Sequence, residues 1–222
     1  MTPALGAGGN TMRFTAPGLP ELRVPVPDPD SSERIKVTVW GTPVLATLAG
    51  QAAAEWFTAI AGEPARLVYL DDPGRRPVDP RYGLATDRVS FADGYPLLLT
   101  SERSLARLND WILEGRFPDE GPLPMTRFRP SVVVGGAEPW AEDGWKRLRI
   151  GDVPFRVAKG SDRCVFTTID PETAVKGREP LVTLAKYRHR DGKIWFGVNL
   201  IPDVAPGASA VIRPGDPVQI MS

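Results

Sequence analysis

The residue with the widest chemical reach in this chain is its one cysteine, Cys164, in the segment KGSDRCVFTTIDPET. A thiol attacks electrophiles or binds a soft metal as the thiolate, and neighbouring cations favour that form. Arg163 adjoins it and Lys159 is close in sequence, while Asp162 opposes them in part. A lone cysteine just before a β-rich run is most often a small buried hydrophobe, so the local sequence leaves both readings open. The one histidine, His189, lies in YRHRDGK, a basic hairpin-like turn with Asp191-Gly192 as its corner, and reads as facing solvent. Around it Lys186, Arg188, Arg190 and Lys193 form a basic patch. Such a patch is either a solvated face or a surface for an acidic electron donor. Glu142 and Asp143, in AEDGW, read as a turn rather than an acid–base pair, with Trp140 and Trp145 beside them as packing residues.

Composition narrows the chemistry further. One cysteine excludes an internal disulfide, a Cys-bound iron–sulfur cluster and a Cys-rich zinc site, and one histidine excludes a His-dominated metal site. Redox or metal chemistry here therefore needs a borrowed cofactor. Lys plus Arg equals Asp plus Glu at 27 each, which removes the global electrostatic case for nucleic acid as a partner. The sequence has no P-loop, no G-x-G-x-x-G and no G-x-S-x-G. The opening MTPALGAGGNTMRF has neither the basic nor the apolar region of a signal peptide. No segment approaches the roughly 20 apolar residues of a membrane span. The expectation is a soluble, cytoplasmic protein with no membrane or nucleic-acid partner.

The elements that must position these residues are short. Twenty-four prolines and 22 glycines punctuate the chain throughout. Between them Ile35–Trp40 alternates as a strand, as do, less cleanly, Arg66–Leu70, Ser131–Val134, Arg147–Ile150, Val153–Val157 and Ile194–Leu200. Val165–Thr168 and Val218–Met221 are further strand candidates. Helical spacing of Ala53, Trp56, Phe57 and Ile60 predicts a helix over Gln51–Ala61, ending at Gly62. Ser101 is placed to cap a second helix carrying Leu105, Leu108 and Ile112 on one face, with Gly115 as its C-cap. A third covers about Pro180–Tyr187. Many short strands with three helices make the expected class mainly β, a barrel with a few packed helices, mixed α+β in detail. The loop-like stretch Asp71–Tyr82 is either a cut between modules or a long loop inside one domain.

Three segments then carry a resemblance: DRVSFADGYPLLLTSERSLARLN, FRPSVVVGGAEPWAEDGWKRLRIGDVPFRV and RCVFTTIDPET. In this order they resemble the MOSC family, the molybdenum-cofactor sulfurase C-terminal-like domains, and within it the branch of the amidoxime-reducing components. The resemblance implies a remnant of the family's N-terminal β-barrel domain over residues 1–64 and a MOSC domain over 65–222, with a closed barrel. It implies a molybdenum cofactor (molybdopterin) whose metal is held by the cysteine of R-C-x-x-T-T, here Cys164. A soft thiolate suits a molybdenum centre already held by dithiolene sulfurs. The implied reaction is the reduction of N-oxygenated small molecules, with electrons from a separate flavin or iron–sulfur protein. For the cofactor's phosphate, Thr100, Ser101 and Ser104 at the start of the second helix offer hydroxyls and N–H groups as an anion site, with an ordinary N-cap as the equal alternative. The resemblance adds Arg129, otherwise a solvated strand-end charge, with Ser131 of FRPS and Arg163.

The sequence departs from the family pattern at three places. Ser131 stands where the motif F-R-P-N has asparagine, and Val198 where relatives tend to carry glutamine. Residues 1–40 hold nothing like the V-K-S-C segment of the family's early barrel, which implies fewer cofactor contacts from that side. A MOSC module that only carries cofactor or sulfur, or a degenerate domain without cofactor, is the alternative from another class.

Overall fold

The computed structural model describes every residue except Ala7, Ala92, Pro206 and Ser222. The described chain divides into two units, Met1–Pro77 and Val78–Ser222, with the division inside the Asp71–Tyr82 loop.

The first unit pairs β1 (Thr2–Leu5), β2 (Thr11–Thr15) and β3 (Leu22–Pro25) in one antiparallel sheet. A second sheet joins β4 (Arg34–Val39), β5 (Thr42–Leu48) and β6 (Val68–Tyr69). Between β5 and β6 runs α1 (Gln51–Ala61), the span predicted from its periodicity, with Gly62 in the left-handed region as C-cap. Its Ala53 and Trp56 close a small core with Phe14 and Val24, and the Trp56 indole N–H donates to the Pro20 carbonyl at 2.8 Å. The first three strands escape a reading by alternation. They are only four or five residues long, too short for an alternation to stand out.

The second unit is built on one seven-stranded sheet. Its elements are β7 (Leu97–Ser101), α2 (Glu102–Leu113), β8 (Val132–Val134), β9 (Arg147–Ile150), β10 (Val153–Asp162), α3 (Leu181–Tyr187), β11 (His189–Arg190), β12 (Lys193–Pro202) and β13 (Val218–Met221). The order is β13-β9-β10-β12-β7-β8, with β11 folded back on β12. The fold is mainly β with a few helices, and the sheet curls as a half-barrel. It is not the expected closed ring: among the described residues β13 and β8 end the sheet without pairing to each other. All pairings are antiparallel except β7–β8. Parallel neighbours need a crossover, and α2 supplies it.

The inner face of this sheet packs Leu99, Leu148, Phe155 and Leu200. Val198 joins them at 1% exposure, so the residue that departs from the family pattern is part of the core. A second cluster packs Leu108 and Ile112 of α2 and Leu184 of α3 against Phe128 and Phe196. The β10–β12 ladder slips twice, between Val157 and Lys159 and between Gly160 and Asp162. Bulges bend a strand and re-aim the side chains beyond the bend. Gly160 sits in the bulged stretch against the Trp195 ring, where an added Cβ would meet Cε3 at 2.8 Å.

One strand expectation is corrected. Val165–Thr168 is a single 3-10 turn, not a strand. Its β-branched residues suggested extension, but Thr167 and Thr168 donate their hydroxyls to the carbonyls of Cys164 (2.9 Å) and Val165 (2.8 Å). Hydroxyls that bond back to the chain three residues earlier compete with sheet pairing.

Candidate functional site

Cys164 is the N-cap of that turn, two residues past the end of β10, and it is exposed. The turn has an inner and an outer face. Thr167 (2%) and Thr168 (3%) are buried, whereas Val165 and Phe166 stand in solvent beside the thiol. The two threonines of R-C-x-x-T-T therefore fix the loop on which the cysteine stands, each through a hydrogen bond of its own hydroxyl.

Arg163 points the other way. Its guanidinium donates to the Ser161 hydroxyl and to the Phe128 carbonyl, both at 2.9 Å. Both partners are neutral, and its Nε is buried with no hydrogen-bond partner among the described residues. Burial pushes the Arg163 guanidinium below its usual value, and the neighbouring Cys164 pulls it back up. Asp93 and Asp162 also act on this half-buried cation at longer range, so its charge is shared between those carboxylates and the adjoining thiol position. The bond to Phe128 also ties the cysteine turn to a second 3-10 turn, Met125–Phe128. Phe128 is fully buried and stacks on Phe196 at 3.9 Å between centroids. Arg127 adds a second tie, from Nη1 to the Thr167 carbonyl at 3.2 Å, with Asp170 at 3.8 Å from its Nε.

Arg129 follows at the end of that second turn. It is exposed, and its side chain makes no hydrogen bond or ion pair among the described residues. Its φ of 53° lies in the left-handed region, unusual for a residue with a side chain. The structure thus brings Arg129 and Cys164 to the two ends of the Arg163–Phe128 bond. Ser131 is exposed but engaged in the sheet: it donates its N–H to the Leu98 carbonyl at 2.9 Å, and its hydroxyl accepts from the Leu98 N–H at 3.2 Å.

Thr100, Ser101 and Ser104 are fully buried. Thr100 turns its hydroxyl to the Met125 sulfur at 3.2 Å. Ser101 is the N-cap of α2 and accepts from the Ser104 N–H. Ser104 donates to Glu142 Oε2 at 2.9 Å and accepts from the Trp140 N–H at 2.8 Å. Glu102 in the first turn meets the positive end of the helix with the chain's own carboxylate. Glu142 is itself fully buried in a 3-10 turn, Ala141–Gly144, as the AEDGW sequence suggested. Burial pushes its carboxyl above the ordinary value, against the hydrogen bond from Ser104.

The basic patch near His189 is smaller than its sequence. Arg188 is spent on Asp143 at 2.6 Å and lies 4.3 Å over Trp140. Lys193 bonds Asp162 at 3.1 Å, and Lys159 bonds the same carboxylate at 3.2 Å. Burial opposes the charge on Asp162, but these two ammonium groups outweigh it and hold the carboxyl below its usual range. Lys159 also lies 5.6 and 5.7 Å from the ring centres of Tyr82 and Tyr95. His189 is exposed, with Asp191 and Gly192 both at positive φ in the hairpin corner.

Among the described residues no three His, Cys, Asp or Glu side chains are grouped as a metal cage. One exposed thiol, backed by a half-buried cation and linked through Phe128 to an arginine unpaired among the described residues, instead fits a metal that arrives with ligands of its own.

The MOSC domain family matches residues 86–219. The chain belongs to the MOSC domain family. A mitochondrial amidoxime-reducing component 1 from Homo sapiens is 34% identical over 233 residues, which cover 98% of this chain and 65% of that protein. One from Xenopus laevis is 30% identical, over 95% of this chain and 62% of the relative. A molybdenum cofactor sulfurase from Oryza sativa subsp. japonica is 35% identical over 170 residues, 71% of this chain and 20% of the relative. The chain spans somewhat under two thirds of the amidoxime-reducing relatives. The MOSC family is associated with the molybdenum cofactor, and the match contains every site residue from Thr100 to Thr168.

What sequence reasoning missed in this MOSC domain are the connectors: Ser161, Arg127 and the Phe128 carbonyl. The R-F-R spacing around Phe128 was a usable signal, because alternate residues of a turn cannot all face one way. No helix among the described residues is long and apolar enough to cross a membrane.

Proposed function

We propose that this chain is a molybdenum-cofactor oxidoreductase that removes oxygen from N-oxygenated compounds. Cys164 holds the metal through its thiolate, Arg163 supplies the buried positive charge behind it, and Arg129 reaches the phosphate or pterin. The observation that carries the reading is the exposed Cys164 on a turn locked by both threonine hydroxyls, with the neutral-partnered Arg163 at its back. Of the hydroxyls named from the sequence, Thr100, Ser101 and Ser104 serve in the packing behind the site, and Ser131 fixes the β7–β8 edge.

The overall balance is R–NHOH + 2 e⁻ + 2 H⁺ → R–NH₂ + H₂O. When bound, the cofactor supplies the two-electron change that this needs. The chain's own residues bind, orient and neutralise charge. Electrons come from a separate flavin or iron–sulfur protein, since one cysteine builds no relay. Likeness to the rice molybdenum cofactor sulfurase favours a second reading, a module that carries cofactor or sulfur without reducing a substrate.

The test uses protein made in a molybdopterin-competent host. Molybdenum per chain is measured first, then reduction of hydroxylamine and an amidoxime by chemically reduced viologen. Molybdenum near one per chain with turnover supports the enzyme. Bound cofactor without turnover on either compound favours the carrier.

A further inference from the structure

We infer that Val165 and Phe166 form the apolar wall that receives the body of the substrate, so that the site favours N-oxygenated compounds carried on a flat, apolar, aromatic frame. This rests on Cys164 as the metal ligand.

The wall follows from how the turn is divided. Its inner face is spent on Thr167 and Thr168, and its outer face carries Cys164, Val165 and Phe166. Phe166 is 68% exposed and Val165 45%. Scattered apolar side chains on a surface need no explanation. These two are adjacent to each other and to the one residue of the turn that can bind a metal.

The wall is also held in place. The Thr167 N–H donates to the Cys164 carbonyl and the Ile169 N–H to the Phe166 carbonyl, each at 3.2 Å. The two threonine hydroxyls and Arg127 brace the same turn, so a substrate ring meets an ordered surface and little freedom is lost on binding. Charge is arranged on the other sides. Asp162 with Lys159 and Lys193 precedes the cysteine, and Arg163 leads to Phe128 and the free Arg129. Charged flanks suit the phosphate of a cofactor, and the uncharged flank suits the uncharged part of a substrate. The polarity of the surroundings thereby gives the substrate one orientation, with its N–O group toward the metal position and its frame over Phe166.

The test compares the wild-type chain with Phe166→Ser and the gentler Phe166→Leu, all cofactor-loaded and reduced by viologen so that no partner protein enters. The first readout is the ratio of kcat/KM for an aromatic amidoxime to that for hydroxylamine, which has no frame. Phe166→Ser should lower this ratio by about tenfold or more, with Phe166→Leu in between. The second readout is the dissociation constant of the aromatic amidine product, from ligand-observed NMR, which should weaken in the same order. A ratio and a dissociation constant both within about twofold of wild type overturn the wall. So does a change seen only when a donor protein replaces viologen, which would make the patch a protein-docking surface. Molybdenum content of Cys164→Ala separates the two levels. Full metal there sinks the underlying reading, whereas lost metal with an unchanged Phe166→Ser ratio sinks the wall alone.

Discussion

The cysteine turn and the start of α2 hold the same kinds of residue and use them in opposite ways. At the start of α2, Thr100, Ser101 and Ser104 are buried and every hydroxyl has a partner inside the fold. At the cysteine turn, Thr167 and Thr168 are equally buried and equally spent, but their hydrogen bonds push Cys164 outward. Among the described residues Arg163 keeps an unpartnered Nε and Arg129 an unpaired side chain. The α2 hydroxyls are spent on the frame, in which Glu142 Oε1 is nevertheless buried without a partner among the described residues, whereas at the cysteine turn the unpartnered groups are cations beside an exposed thiol.

The sharpest break of this comparison sets Cys164→Ala against Ser104→Ala. Cys164→Ala should remove molybdenum almost entirely while shifting stability by no more than about 0.5 kcal/mol, as for an exposed side chain. Ser104→Ala should do the reverse. It leaves Glu142 Oε2 and the Trp140 N–H unpaired in the interior, costing about 1–3 kcal/mol, while folded chains keep their metal. Metal analysis and denaturant titration on both variants decide it. Metal lost from folded Ser104→Ala would bring the α2 hydroxyls back into the site.

Arg129 is the next largest effect. Its left-handed backbone costs about 1 kcal/mol relative to glycine, which has no Cβ to clash. Arg129→Gly should therefore stabilise the chain and yet shed cofactor. A charge-assisted contact to phosphate is worth about 1.5–3 kcal/mol, roughly ten- to a hundred-fold in affinity. Arg129→Lys keeps charge but loses the fork, so it should retain part of the occupancy. Molybdopterin per chain, read by fluorescence after oxidative release, gives the order. Equal occupancy in all three places the phosphate elsewhere.

These contrasts also show what the sequence could and could not reveal. The Gln51–Ala61 helix and the Arg147–Ile150 and Val218–Met221 strands were legible to the residue, because apolar spacing and a glycine stop act locally. Val165–Thr168 misled because β-branching speaks for a strand, while the hydroxyls that overrule it bond only three residues back. The neighbours of Cys164 left both readings open, and the family resemblance is what singled it out. Ser104 was not legible as a frame residue, since its partner Glu142 is 38 positions away. Nor was the fate of the basic patch, because Asp143 and Asp162 neutralise Arg188 and Lys193 from distant segments.

A smaller effect isolates the turn itself. Thr168→Val keeps the shape and removes the hydroxyl bond to the Val165 carbonyl, a loss of about 1 kcal/mol. If that bond orders the loop bearing Cys164, molybdenum should dissociate several-fold faster on chelator challenge, with the thermal midpoint lowered only slightly. An unchanged release rate would mean that Thr167 and the backbone bonds suffice.

The smallest effect compares two acids, one from each region, by pH. Glu142 is held above the ordinary value of 4.5 by burial, so the folded chain keeps a proton that the unfolded chain gives up. Stability from this group is whole below the unfolded value and is lost as pH rises from there through the folded value. Asp162 is held below 3.8, where the ion pairs from Lys193 and Lys159 outweigh its burial. Its contribution is present above the unfolded value and is lost as pH falls through the folded one. Glu142→Gln, which mimics the protonated acid, should thus match wild type in acid and exceed it in thermal midpoint toward neutral pH. Asp162→Asn should match wild type only in strong acid and fall below it as pH rises. Midpoints by circular dichroism across the acid range would show the two difference curves opening upward in pH with opposite signs. The same sign for both would mean that Glu142 is charged in the folded protein, and that the frame behind α2 is held by an ion rather than by a neutral hydrogen bond.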